Sequence, residues 1–355
     1  MKQSQILVLF GSIALATLLS TACVSAGEQS IAGSKPAACV DSPPYDTTPY
    51  KAVRFVKVAP HVNLEVLDWG GSGETMVLLT GSGDNAHAFD YFAFQFTDFF
   101  HIIGITRRGY LPSSQPRTGY DVDTRAADDI KVLDTLGIKK AVFVGHSISG
   151  AELSKIAAKY PRYVDKLVYL DAADLSERFT FPEVPDPFHL FTDADARSLF
   201  SFQAAYARFL GVREPIPAIC LSFAFDKDGM VTGTSTPESI EAQLAAGVRA
   251  PANPPTDWAD IKQPRLGIFA PPTIESKLPW YPYLSPADQA EFDQRFPRLL
   301  QWYSDVIGLF GEKHPGSPTP VVYLLPGAPH YIYINNEAEV VLQMRKFLGI
   351  PVSGN

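Results

Sequence analysis

Residues 141–150 read Ala141-Val142-Phe143-Val144-Gly145-His146-Ser147-Ile148-Ser149-Gly150. Four apolar residues, a Gly-His-Ser step and a small-residue lead into Ala151–Tyr160 spell strand, sharp turn and helix. A serine at the tip of such a turn stands above its strand, and the residues two places to either side must be small. Gly145 fills one of those places; Ser149 fills the other, where glycine is commonest, and Gly150 follows. The helix beyond points its free N–H groups and dipole at Ser147, which favours negative charge developing there. Ser147 is therefore a candidate nucleophile. A tight turn beside a buried helix would share the local pattern, so the rest of the chain has to decide.

Short, continuous apolar runs surround this turn: Met76–Thr80, His101–Thr106, Leu167–Leu170, Leu266–Phe269 and Val321–Leu325. Runs of this kind suit strands buried on both faces, hence a parallel sheet. Ala52–Val58 and Val62–Trp69 alternate instead, as an antiparallel start. A helix is expected before Gly137, capped by Asp123 or Thr124 with Ala127, Ile130 and Leu133 on one face, and another near Asn336–Leu348. Strand–helix alternation means an α/β class with a mostly parallel central sheet flanked by helices. The rhythm breaks after Asp174. Residues 175–262 carry Phe179, Phe181, Phe188, Phe191, Phe200, Phe202, Tyr206, Phe209, Phe223 and Phe225, with a helical stretch at Ala194–Leu210. This block reads as an inserted helical cap between core segments 51–174 and 263–355. Most of its aromatics pack the cap onto the core, and a few can line an apolar pocket.

The chain has 355 residues, 46% of them apolar and 19% charged, which allows one large domain with an insertion. Its net charge of −8 and the lack of a Lys/Arg run disfavour nucleic-acid binding. Residues 1–26 read as a signal peptide: Lys2, an apolar stretch Ile6–Leu19, and small Val24-Ser25-Ala26 before Gly27. Ser20-Thr21-Ala22-Cys23 also resembles a lipobox, so a lipoprotein tethered through Cys23 is the alternative to a secreted or periplasmic protein. The Pro-rich stretch 27–50 reads as a linker or arm. Of three cysteines, Cys23 is removed or lipidated by either route, which leaves Cys39 and Cys220 as a candidate disulfide or two unrelated thiols.

The turn around Ser147, together with Gly104-Ile105-Thr106-Arg107-Arg108-Gly109-Tyr110 and Leu170-Asp171-Ala172-Ala173, resembles the α/β-hydrolase superfamily, in its serine esterase or proline-iminopeptidase-like branch. The resemblance runs from about Val53 to Leu348 and implies that fold, hydrolytic chemistry, and no cofactor or metal. It places the general base after the last strand, where Gly327-Ala328-Pro329-His330 follows Val321–Leu325. It places the oxyanion hole at the backbone N–H of Ile148 and of Ser82, in the loop Thr80-Gly81-Ser82-Gly83. The acid is open. The loop after Leu266–Phe269, where many relatives carry an Asp, offers only Glu275; Asp171, after the preceding strand, is favoured, with Asp174 or water as further options. Such an acid would hold the imidazole tautomer and stabilise imidazolium.

The implied reaction is acyl transfer on an apolar or bulky ester or lactone through a Ser147 acyl-enzyme. It needs neutral His330, so activity should fall in acid. An aminopeptidase of the proline-releasing type is the alternative, with Asp186, Asp193 or Asp195 as anchors for a free amine. Serine in place of aspartate argues against epoxide hydrolase or dehalogenase chemistry; a cofactor-free haloperoxidase side reaction is compatible. Two remote readings use other features. Gly81-Ser82-Gly83-Asp84-Asn85-Ala86 fits a loose dinucleotide fingerprint, with Arg107-Arg108 for a 2′-phosphate, as in an NADP-dependent oxidoreductase. A non-catalytic binding protein on the same scaffold is the other.

Overall fold

A computed structural model describes residues 52–172, 190–249 and 258–352. The leader 1–26, the arm 27–50, Cys39, Asp174 and Asp186 lie outside the described residues. Cys220 is buried and disulfide-bonded.

Eight strands form one sheet: β1 (Ala52–Ala59), β2 (Val62–Gly70), β3 (Glu74–Leu79), β4 (Phe100–Ile105), β5 (Ala141–His146), β6 (Val164–Leu170), β9 (Arg265–Phe269) and β10 (Val321–Leu324), in the order β1-β2-β4-β3-β5-β6-β9-β10. β2 runs antiparallel to both β1 and β4; the pairs from β4 to β10 are parallel. The apolar runs are continuous because alternate residues feed two cores. On one face Met76 and Leu78 of β3 join Val142 and Val144 of β5; on the other Val77 and Leu79 join Ala141 and Phe143.

The second face is covered by α1 (Val122–Leu136), α2 (Ser149–Lys159) and α6 (Pro286–Gly311), which contribute Ile130, Leu133, Leu153, Ile156, Val306 and Phe310. α1 begins two or three residues earlier than expected: Asp121, not Asp123 or Thr124, is the cap, accepting from the Thr124 N–H at 2.8 Å. Gly137 ends it at φ 75°. The apolar pattern did not mark α6, a helix of 26 residues with Pro297 inside it. An interior proline removes a helical hydrogen bond and argues against a helix locally. The Ser285 cap and Pro286 in the first turn were the signals that favoured one.

On the first face lie α7 (Ile332–Asn335), α8 (Glu337–Leu348) and the described part of the insertion. The insertion is not purely helical. Its helices α3 (Leu199–Phe209), α4 (Ile216–Ser222) and α5 (Glu238–Arg249) are accompanied by an antiparallel pair, β7 (Phe223–Phe225) and β8 (Val231–Thr234). α3 starts at Leu199 and not at Ala194, because Ser198 and Ser201 form a reciprocal capping box. Phe202, Tyr206 and Phe223 pack ring against ring in the core of this layer.

Two buried carboxyl groups fix these layers. Glu152 of α2 bonds Arg107 at 2.9 Å and lies 3.3 Å from the Arg125 guanidinium of α1. Burial works against its charge, but Arg107 and Arg125 overcome that and hold the carboxyl below its ordinary range. Glu241 of α5 faces Tyr110 of the core at 3.4 Å, beside the apolar contact of Ile240 and Leu244 with Tyr110 and Tyr120. Burial pushes Glu241 up to about 7.

The two groups predict opposite pH behaviour. Glu152→Gln leaves two buried guanidinium groups uncompensated and should cost about 3–5 kcal/mol in denaturant unfolding at neutral pH. Because the folded pKa is depressed, the wild-type advantage should shrink as pH falls through it. Glu241 has a raised folded pKa, so its contribution is present in acid and is lost as pH rises through about 7. Glu241→Gln should match wild type near pH 4 and exceed it by roughly 2–3 kcal/mol above neutrality. Thermal melts across that window that keep a constant offset would contradict the assignment.

Candidate active site

Ser147 follows β5 directly with φ 55°, a left-handed conformation that is uncommon for a non-glycine residue. Its N–H donates to the Leu170 carbonyl at 3.3 Å, tying the turn to β6. The tightness of the turn explains Gly145, where a Cβ would come within 2.6 Å of Leu153 Cδ1 and 2.9 Å of Ser149 Cβ. It also explains Ser149 in the place usually held by glycine. The Ser149 hydroxyl donates to the Thr80 carbonyl and accepts from Arg107 at 2.7 Å, so it joins the turn to the loop after β3.

Asp171 follows β6 directly and also has positive φ, at 42°. Its N–H donates to the Ile268 carbonyl at 2.7 Å, and its Oδ1 accepts from the Ala270 N–H at 2.8 Å. Both bonds fix the carboxylate against β9. Oδ2 is left to meet His330 Nδ1 at 2.6 Å. The carboxylate side chain is 1% exposed and the imidazole 33% exposed, so the buried partner orients the accessible one. Donation from Nδ1–H leaves Nε2 as the proton-accepting nitrogen. The sequence reading missed Tyr303, whose hydroxyl approaches Asp171 Oδ2 at 3.4 Å from α6. Glu275, the other candidate acid, is exposed on the loop after β9.

The His330 ring lies 4.5 Å from the ring of His146, the residue before Ser147, and the His330 carbonyl accepts from His146 Nε2 at 3.2 Å. Burial and the neighbouring His330 hold His146 well below its ordinary pKa, hence neutral. The elbow, the Asp171 turn and the His330 loop thus meet at the C-terminal ends of β5, β6 and β10.

Ile148 follows Ser147 as the residue before α2, and Ser82 lies just past β3, the strand beside β5. Ser147, Ile148 and Ser82 are all partly accessible. Arg107 holds the Ser82 loop: it donates to the Thr80 and Gly81 carbonyls, both at 2.6 Å, while bonding Glu152 and Ser149. Gly81 is required by its neighbours, since a Cβ would meet His146 Nδ1 at 2.8 Å and Asp84 Oδ2 at 2.9 Å.

These contacts overturn the dinucleotide reading of the same loop. Arg107 is buried and committed to the loop and to Glu152, and Arg108 forms a two-pronged pair with Asp128 at 2.6 and 2.7 Å. The loop opens not into a long helix but into a four-residue 3₁₀ turn, Ala86–Phe89, and Asn85 is bonded to Ala218 and Ser222 of the insertion. Of the acidic residues suggested as amine anchors, Asp193 is exposed and Asp195 is occupied by Thr192 and Arg208. Among the described residues, no helix is long and apolar enough to cross a membrane.

The family model of the α/β hydrolase fold matches residues 74–221. A 2-(acetamidomethylene)succinate hydrolase of Mesorhizobium japonicum is 27% identical over 201 residues, covering 55% of this chain and 70% of that protein. A non-heme chloroperoxidase of Streptomyces lividans is 33% identical over 120 residues, covering 33% of this chain and 44% of that protein. The crystal structure of an E-2-(acetamidomethylene)succinate hydrolase superposes with a TM-score of 0.56 at 23% identity, over 84% of this chain and 99% of that one. The strand order, the turn at Ser147 and these likenesses agree: the chain has the α/β-hydrolase fold.

Proposed function

We propose that the protein is a serine hydrolase of carboxylic esters or lactones, with Ser147 as nucleophile, His330 as general base and Asp171 as the acid that orients it. The observation that carries this reading is the 2.6 Å contact between His330 Nδ1 and Asp171 Oδ2, one residue from the strained Ser147 turn through the His146–His330 stack. His330 Nε2 takes the Ser147 hydroxyl proton as the oxygen attacks the carbonyl carbon. The backbone N–H groups of Ser82 and Ile148, with the N-terminus of α2, receive the oxyanion. Collapse expels the alcohol, protonated by His330, and leaves an acyl-enzyme. Water, deprotonated by His330, then releases the acid.

The aromatic insertion favours an apolar or bulky acyl or alcohol portion over a small polar one. Secretion or periplasmic export, with a Cys23 lipid anchor as the variant route, belongs to the same proposal and is read from the mass of the mature N-terminal peptide.

A fluorophosphonate probe should label the protein, and Ser147→Ala should remove the label. On p-nitrophenyl esters of rising chain length, Asp171→Asn should lose on the order of 10³–10⁴-fold in kcat, the scale of tautomer loss in a Ser-His-Asp triad. Glu275→Gln should keep its activity. A labelled Ser147→Ala protein, or full turnover in Asp171→Asn, would sink the assignment; preference for acetate alone would rule out a roomy apolar pocket.

A further inference from the structure

Asp84 and Glu214 are two buried carboxyl groups with no part in the chemistry above. Asp84 lies two residues past Ser82 on the oxyanion loop, and Glu214 comes from the insertion, between α3 and α4. They are 5% and 2% exposed, and their carboxyl groups face each other. Two carboxylates cannot bond without a proton between them. Asp84 Oδ2 and Glu214 Oε1 are otherwise buried without a donor, and one shared proton supplies both. The Tyr331 hydroxyl, from the residue next to His330, donates to Asp84 Oδ1 at 3.2 Å and lies beside Glu214.

We propose that Asp84 and Glu214 share a single proton and, through Tyr331, act as a positioning pair that holds the oxyanion loop, the insertion and the His330 loop in one register. The role rests on the serine hydrolase reading. The surroundings fit one negative charge and not two. His146, with Nδ1 4.0 Å from Asp84 Oδ2, is kept neutral by burial. Tyr331 and Tyr333 face the pair as neutral phenols. The charges that reach Asp84 are those of Arg107, already committed to Glu152, of His330 when protonated, and of Glu241, which Asp84 in turn helps to raise. Burial pushes Asp84 up to about 6, and burial together with Asp84 holds Glu214 well above the carboxylate range. Rising pH removes the shared proton, two buried carboxylates then repel, and the loop, insertion and base lose their common register.

Infrared spectroscopy of the intact protein tests the proton, and the pH profile of ester turnover tests the positioning. The folded wild type should show protonated-carboxyl C=O absorption at neutral pH, and Glu214→Gln should remove one component of it, leaving that of other buried carboxyls such as Glu241. Glu214→Gln keeps a donor, so its kcat at neutral pH should stay within about threefold of wild type, and its alkaline limb should move to higher pH. Glu214→Ala should lose about tenfold or more in kcat with little change in KM, because a misplaced donor acts on the transition state. No component of that absorption lost in Glu214→Gln, or a Glu214→Gln profile superimposable on wild type, overturns the proposal. A wild type that shows that component but is never labelled at Ser147 overturns the hydrolase reading and the positioning role with it, and leaves the shared proton standing.

Discussion

The Arg107 guanidinium is the interaction on which the site depends. It comes from the segment after β4, yet it bonds the two carbonyls that begin the loop after β3, the hydroxyl of Ser149 in the Ser147 turn, and Glu152 one turn into the following helix. A planar cation with five donors can satisfy carbonyl, hydroxyl and carboxylate acceptors at once. Here it makes the loop and the turn parts of one rigid body. Its charge is offset by Glu152, which also faces Arg125 of α1. Burying that group without Glu152 would be costly, so the arrangement on one side of the sheet is coupled to the site at the strand ends.

The backbone strain at the site follows from this rigidity. Ser147 and Asp171 both take positive φ, at the ends of adjacent strands. Such conformations persist only where the surroundings over-determine them. For Ser147 these are the bond to the Leu170 carbonyl, the close packing at Gly145 and the helix behind it. For Asp171 they are the two bonds to β9. The strain turns one side chain outward and aims the other at His330, which a relaxed strand end would not do.

Much of the fold was legible in the sequence. The apolar runs marked the strands because both faces of a parallel sheet are buried, and the alternation at 52–69 marked the antiparallel start. Ser147 and His330 stood out by their order relative to strands, and the structure brings them to the same end of the sheet. What was not legible depends on contacts between distant segments. Tyr303 reaches Asp171 from a helix whose interior proline hid it. Ser149 looked like a departure until its Arg107 and Thr80 partners were visible. Asp84 and Glu214 are 130 positions apart in the numbering, and nothing local to either announces a shared proton. Asp121 displaced the expected cap because two neighbouring residues offered equally good side chains, and only the Thr124 N–H geometry chooses between them.

The central claim is that Ser147 carries the acyl group during turnover. The most direct measurement is peptide mass analysis of the protein quenched in acid while it turns over a slowly deacylating ester. The account predicts a mass increase equal to the acyl group on the peptide containing Ser147, building up and decaying with the substrate. An acyl adduct on another residue, or steady turnover with no adduct on that peptide even when deacylation is limiting, would contradict it.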